Sequence, residues 1–350
     1  MRIPELALLV AATVLFLSGS AGALHGPCPV EVDFPFLDLD GNLCHDPTDS
    51  GNITADLLST AGPYTPAAGN LVCPAGATLI STVPDSTEVV TINWVIPGTV
   101  VLDCKVKLWG DLRTFEVEAG ADILLDAKFK TRSHQIYLAP NGSIETGFKT
   151  KFIGRLDVTL AAGDDITLGE RTLVRAGHFG GNLFVLAGQT VTMGDKCKLD
   201  GRDSGSVITV SGHDVLIGER VKMLARDRGR IFVDADPVTG TVNAEKIVIL
   251  GENAANITGG TVTVGARSKG DFTLTAESAI IANGIKGLSP ATFTLNTAGT
   301  ISVTDAIFKK SHPPTATIRF TTAPGGTCDV TGSIFHNYTL MFTGCTPIGP

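Results

Sequence analysis

"VTLAAGDDITLGERTLVRAGHFGGN", residues 158–182, is followed by "LFVLAGQTVTMGDKCKLDGRDSGS", residues 183–206, and "VITVSGHDVLIGERVKMLARDRGR", residues 207–230. These are three spellings of one sentence. Gly169, Gly194 and Gly218 align, with Gly163, Gly188 and Gly212 ahead of them and Gly180, Gly205 and Gly229 behind. Between the glycines Ile166, Val191 and Val215 superpose, as do Leu168, Met193 and Ile217. Each copy is a set of short alternating strands separated by glycine corners, with no stretch of helical period.

The cadence extends in both directions with looser spelling. Upstream it runs through "VTINWVIPGTVVLDCKVKLWGD" from Val90, "FEVEAGADILLDAKFKTRS" from Phe115 and "IYLAPNGSIETGFKTKFIGR" from Ile136. Downstream it returns in segments starting at Ile231, Phe272 and Phe293, with an irregular stretch from Asn253 to Gly270 that reads as an inserted loop. Repeats of strands and turns alone, at this length, specify a solenoid. A single rung cannot bury its inward side chains. Stacked about 4.8 Å apart, rungs turn each inward position into a continuous aliphatic column such as Ile166–Val191–Val215. The open ends would template aggregation and need covering.

The leucine-rich frame L-x-x-L-x-L is absent, and the spacing is too irregular for the hexapeptides of a left-handed helix. The expected fold is therefore all-β, a right-handed parallel β-helix with rungs of about 21–25 residues and disulfide-stapled caps. Over roughly residues 89–326 the chain resembles the pectin-lyase-like and filamentous-haemagglutinin-like β-helices, in structural pattern and not through a diagnostic motif. The expected division is a signal peptide at 1–23, a loop-rich N-terminal cap at 24–88, the β-helix at 89–326 and a C-terminal cap at 327–350.

The first residues, "MRIPELALLVAATVLFLSGSAGALHG", have a basic start, an apolar run and a small-residue A-G-A site, the plan of a secretory signal peptide. Secretion to a periplasmic or extracellular space is the expectation, with no transmembrane segment after cleavage. Of seven cysteines, six lie near the ends and Cys197 stands alone. In an oxidising compartment they read as disulfides. Cys328–Cys345 is the C-terminal staple. Cys28, Cys44, Cys73 and Cys104 admit three connectivities, of which Cys28–Cys44 with Cys73–Cys104 closes the shortest loops. Cys197 is expected as a free thiol. Four N-x-S/T sequons, at Asn52, Asn141, Asn256 and Asn337, would matter only in a glycosylating host.

Twenty-seven basic against 35 acidic residues give a net charge of −8, which argues against nucleic acid as a partner. The chain contains no nucleophile elbow, P-loop or dinucleotide fingerprint. Two constellations carry candidate chemistry. In "FLDLDGNLCHDPTD", Asp38, Asp40, Asn42 and Asp46 are closely spaced oxygen donors that would take calcium, the one cofactor in view. An EF-hand, however, would need glycine where Leu43 stands and glutamate where Asp49 stands, so a turn-rich cap loop tied by Cys44 is the plainer reading.

The second constellation follows from the repeat register. Glu170, Asp195 and Glu219 fall in one column, with Arg171, Lys196 and Arg220 in the next; farther on, Arg202 overlies Arg226, and His178, Asp203 and Asp227 share a column. The resemblance implies a use for such a set, since lyases on this fold employ calcium-binding carboxylates and an arginine base. The polygalacturonase-type signatures are absent, and charged residues beside corner glycines also suit a solvated surface. Trp94 and Trp109 could stack a sugar or pack the cap onto the first rungs.

The expected function is a secreted, non-catalytic β-helix with a structural, adhesin-like or surface/matrix role. The alternatives are a polysaccharide lyase or glycoside hydrolase acting on an acidic polysaccharide, or a carbohydrate-binding protein without catalysis. Polysaccharide or cell-surface glycans are the partners in view; the oligomeric state is open.

Overall fold

A computed structural model describes residues 28, 30–59, 62–82, 90–109, 112–177, 181–225, 229–236, 239–283, 286–287, 293–309 and 316–349. Among these the chain is a parallel β-solenoid, and its one helix is the single turn Thr54–Leu57 near the N-terminus. Each turn of the solenoid visits three sheets. The first sheet contains Val90–Ile96, Leu112–Ala119, His134–Ala139, Val158–Ala162 and their successors. The second contains Val100–Leu102, Ile123–Leu125, Ile144–Thr146 and Ile166–Leu168. The third contains Lys105–Trp109, Lys128–Thr131, Lys151–Ile153 and Leu173–Ala176.

The register drawn from the repeats holds. Ile166 pairs with Val191 and Val191 with Val215, inside a longer column that starts at Leu71 and ends at Val242. Every member of that column is essentially fully buried. Alternation does the sorting: in His134–Ala139, Gln135, Tyr137 and Ala139 point inward and the residues between them outward. Fully burying one such aliphatic side chain is worth about 1.5–3 kcal/mol, and each is stacked on its equivalents above and below.

Glycine is required at the corner between the first and second sheets. A Cβ on Gly188 would fall on the carbonyl oxygen of Gly163, and one on Gly163 would fall on that of Pro140. Successive turns are also tied there by polar side chains. Asp122 Oδ1 accepts the N–H of Ser143 (2.8 Å), Ser143 Oγ that of Asp165 (3.3 Å), Asp165 Oδ1 that of Thr190 (2.9 Å) and Asp214 Oδ1 that of Thr241 (2.7 Å). Asn70 serves Thr99 in the same way (2.8 Å).

The parallel pairing reaches beyond residues 89–326 on both sides. Asn70–Cys73 and Thr78–Thr82 already pair with the next turn, and Ala316–Asp329 pairs with Tyr338–Ile348. The N-terminal end is covered by Phe36–Asp38, which pairs antiparallel with Asn70–Cys73, and by the short helix. The last strand, Tyr338–Ile348, lies in the expected C-terminal cap and continues the parallel pairing there. Within Asn253–Gly270, the expected loop, Ala254–Thr258 pair in register with Arg230–Asp234 and Arg267–Ser268 with Lys286–Gly287. Pairing held there despite the loss of the glycine signature.

The disulfides are Cys28–Cys44, Cys73–Cys104 and Cys328–Cys345. The last two each join successive turns. Cys197 is free and buried. Trp94 is fully buried and donates its indole N–H to the Leu57 carbonyl at 2.8 Å, packing the helix onto the solenoid as the cap reading requires. Trp109 differs: Lys130 Nζ lies 4.5 Å and the Arg132 guanidinium 5.3 Å from its ring centroid, so it belongs to a charged outer face.

Candidate functional sites

The N-terminal acidic loop folds on its own amides. Asp38 is buried and accepts the N–H groups of Gly41 (3.0 Å) and Leu43 (3.2 Å) and Asn70 Nδ2 (2.7 Å). Asp40 accepts Asn42 N–H, and Asp46 accepts both Thr48 N–H (2.7 Å) and Thr48 Oγ1 (2.6 Å). Asn42 donates from Nδ2 to Asp40 and Asp46. The carboxylates that converge are Asp38, Asp40 and Asp49, whose oxygens lie within 4.8 Å of one another. Asp49, absent from the expected donor set, is held by Leu39 and Asp46 N–H groups. The Asn42 N–H favours the charged form of Asp40, but desolvation and the neighbouring Asp38 and Asp46 carboxyls leave it above the usual carboxylate range. These oxygens are of the type calcium takes. Their visible work is to fold the loop.

The second constellation is seen only in part: His178, Arg226 and Asp227 lie outside the described residues. The pairing Ala176–Gly201–Ala225 leads into that corner, and a Cβ on Gly177 would touch Arg202, so the expected stacking of these turns holds up to its edge. Arg202 does not reach into solvent alone. Its Nε is 3.1 Å from Asp200 Oδ2, which also takes Lys198 Nζ (3.0 Å) and Arg175 Nε (3.2 Å). Asp203 opens the following turn, where Ser206 N–H donates to its backbone carbonyl. Burial disfavours the Asp200 carboxylate, yet the Lys198 and Arg202 cations win and hold its pKa below the ordinary value. Asp200 was not among the sequence candidates. Its signal was an acid at an outward strand position one rung from Arg175.

At the corner between the second and third sheets, the column Arg171, Lys196 and Arg220 exists, joined by Lys149, all with φ between 60° and 64°. Left-handed conformation costs a non-glycine residue about 1–2 kcal/mol, so four basic residues are held where glycine would be easiest. Glu170 pairs with Lys196 at 3.1 Å and Arg171 at 3.3 Å, while Asp195 accepts Glu219 N–H at 2.8 Å.

The outer face of the third sheet escaped the sequence reading. Its signal was K-V-K at 105–107 and K-F-K at 128–130, lysines on the same strand face one rung apart. Lys107 pairs in register with Lys130, Lys128 with Lys151, and Lys198 with Lys222. On the first sheet, Leu186, Thr209, Ser211, Phe232, Asp234 and Thr258 line an open groove of about 590 Å³, in which desolvation raises the Asp234 pKa. No helix among the described residues is long and apolar enough to cross a membrane. Comparison of the chain with protein-family models, curated proteins and solved structures finds no match.

Proposed function

We propose that the protein is a non-catalytic β-solenoid with a surface or matrix role, a stiff rod that presents its faces to other molecules. The observation that carries this reading is the use made of the acids. Asp122, Asp165 and Asp214 accept backbone N–H groups of the following turn, Asp38 folds its loop, and Asp200 neutralises three cations. Carboxylates engaged in this way stiffen a solenoid and are poorly placed for proton transfer. Short corners and disulfides between successive turns support the same reading. Secretion, suggested by the apolar N-terminus, supplies the compartment in which the disulfides form.

A second reading rests on the first-sheet groove, where hydroxyls, Phe232 and an Asp234 pushed toward the protonated form could hold or cleave a glycan. One experiment separates the two. Purified protein is incubated with a panel of acidic and neutral polysaccharides, read by the absorbance of unsaturated products and by reducing ends. The rod reading expects no product from any of them. Turnover that disappears in Asp234→Asn would replace it with the enzyme reading.

A further inference from the structure

From the third sheet we infer that its outer face is a docking surface for a linear polyuronate running along the solenoid axis. The inference rests on the surface-rod reading and names its partner. One outward column contains Lys105, Lys128, Lys151, Lys198 and Lys222, interrupted by Leu173 alone. The next contains Lys107, Lys130 and, after Ile153, Arg175, which is followed by Asp200. Arg132 and Arg202 stand at its margin, both exposed. Against these ten cations, the outward positions of these strands offer one carboxylate, Asp200. Eight of the chain's 27 basic residues occupy outward positions of these strands against one of its 35 acidic ones, so this face is positive on a protein that is negative overall.

The neighbouring corner shows that this segregation is not forced by the fold. There the same stacking places Glu170 against Lys196 and Arg171, an ion-paired column of ordinary kind. On the sheet, no carboxylate among the described residues pairs with Lys105, Lys107, Lys128, Lys130 or Lys151. Lysine therefore stacks on lysine at about the 4.8 Å strand spacing. The charge of Lys105, foremost among its neighbours, holds the Lys107 amine below its ordinary pKa. A ligand of opposite charge relieves this repulsion, and one repeating along the axis relieves it at every rung. A polyuronate supplies one carboxylate per sugar along its length, and the first column offers it a lysine at every rung from Lys105 to Lys222 but that of Leu173. Single-stranded nucleic acid would want a row of aromatic platforms for its bases. Among the described residues this face has only Trp109, already covered by Lys130 and Arg132.

The test uses the full chain and polygalacturonate, by calorimetry or retention on an immobilised polymer. Binding is expected at about 0.01 M salt and should vanish near 1 M, where charges more than about 3 Å apart are screened. Lys128→Gln with Lys130→Gln should weaken it by about tenfold. The matched pair Arg230→Gln with Arg319→Gln, which removes two exposed charges from the first sheet, should change it less than twofold. Far-UV circular dichroism checks that each variant is folded, and neutral dextran is the negative probe. The inference fails if the parent does not bind at low salt, if the two double variants weaken binding equally, or if single-stranded DNA of equal charge binds as tightly. Binding without turnover leaves the rod reading in place; turnover overturns that reading and leaves the face untouched.

Discussion

Replacing Asp200 by Asn keeps the shape of the side chain and removes its charge. Three cations then lose the one carboxylate they share, at 3.0, 3.1 and 3.2 Å. Breaking a buried pair costs about 3–5 kcal/mol when the orphaned charge stays buried. Here the acid is fully buried, but Arg175, Lys198 and Arg202 are 25%, 29% and 41% exposed and can regain water. That discounts the penalty to about 1–2 kcal/mol, equivalent to a fall in Tm of roughly 2–5 °C. The pH dependence has a definite sign. The folded pKa of Asp200 lies below its unfolded value of about 3.9, so its contribution is complete above that value and is lost as pH falls through the folded one. Thermal melts should therefore separate parent and Asp200→Asn by a constant gap from about pH 5 to 8, closing in stronger acid. Adding Lys198→Gln to Asp200→Asn should recover part of the loss, since it removes one of the stranded charges. Equal melting of parent and variant at pH 7, or a gap that persists unchanged at low pH, would refute the account of this cluster. The same substitution should tighten polygalacturonate binding.

Gly188→Ala should lower stability more than any exposed substitution, by about 2 kcal/mol or more, because the new methyl meets a backbone carbonyl that cannot move aside; chemical denaturation measures it. Asp165→Ala removes the acceptor for Thr190 N–H at an exposed corner and should cost about 0.5–1 kcal/mol in the same assay. Cys197, with its pKa pushed up to about 12 chiefly by burial, should resist thiol reagents in the folded protein at pH 8 and react on unfolding. Because the neutral thiol is the form that folding favours, the Cys197 contribution should be lost as pH rises from about 9 toward 12, and Cys197→Ala should flatten that limb.

The rungs were legible because backbone contact and side-chain burial both write to the sequence at a fixed period. Gly163, Gly188 and Gly212 mark where consecutive turns approach closely, and Ile166, Val191 and Val215 mark the inward column. The disulfides were legible from loop length alone, among the three pairings open to the first four cysteines. Pairing at Ala254–Thr258 was not, since strands there continue without the corner glycines that reveal register. The candidate sites were harder for a different reason. An acid that accepts a backbone N–H from the next turn, as Asp165 does, has the same one-letter code and corner position as one that holds a ligand. Only the third dimension separates them, and it assigned Asp38 and Asp200 to structural partners.

The net charge of −8 was a poor guide for a physical reason that applies to any long solenoid. In a compact domain opposite charges lie close enough for total charge to describe the field at most surfaces. A solenoid instead sorts residues by strand and corner, and repeats the sorting along its axis. Here acids gather at corners, where backbone N–H groups need acceptors, and lysines gather on the flat third sheet, where their long stems can lie over the strands. From the rung of Lys105 to that of Lys222 is five strand spacings, roughly 24 Å. At physiological salt the screening length is about 8 Å. A polymer lying along that face is therefore governed by the lysines beneath it: Asp122 and Asp165 sit at the corner between the other two sheets, and Glu170 at the nearer corner is already paired with Lys196 and Arg171.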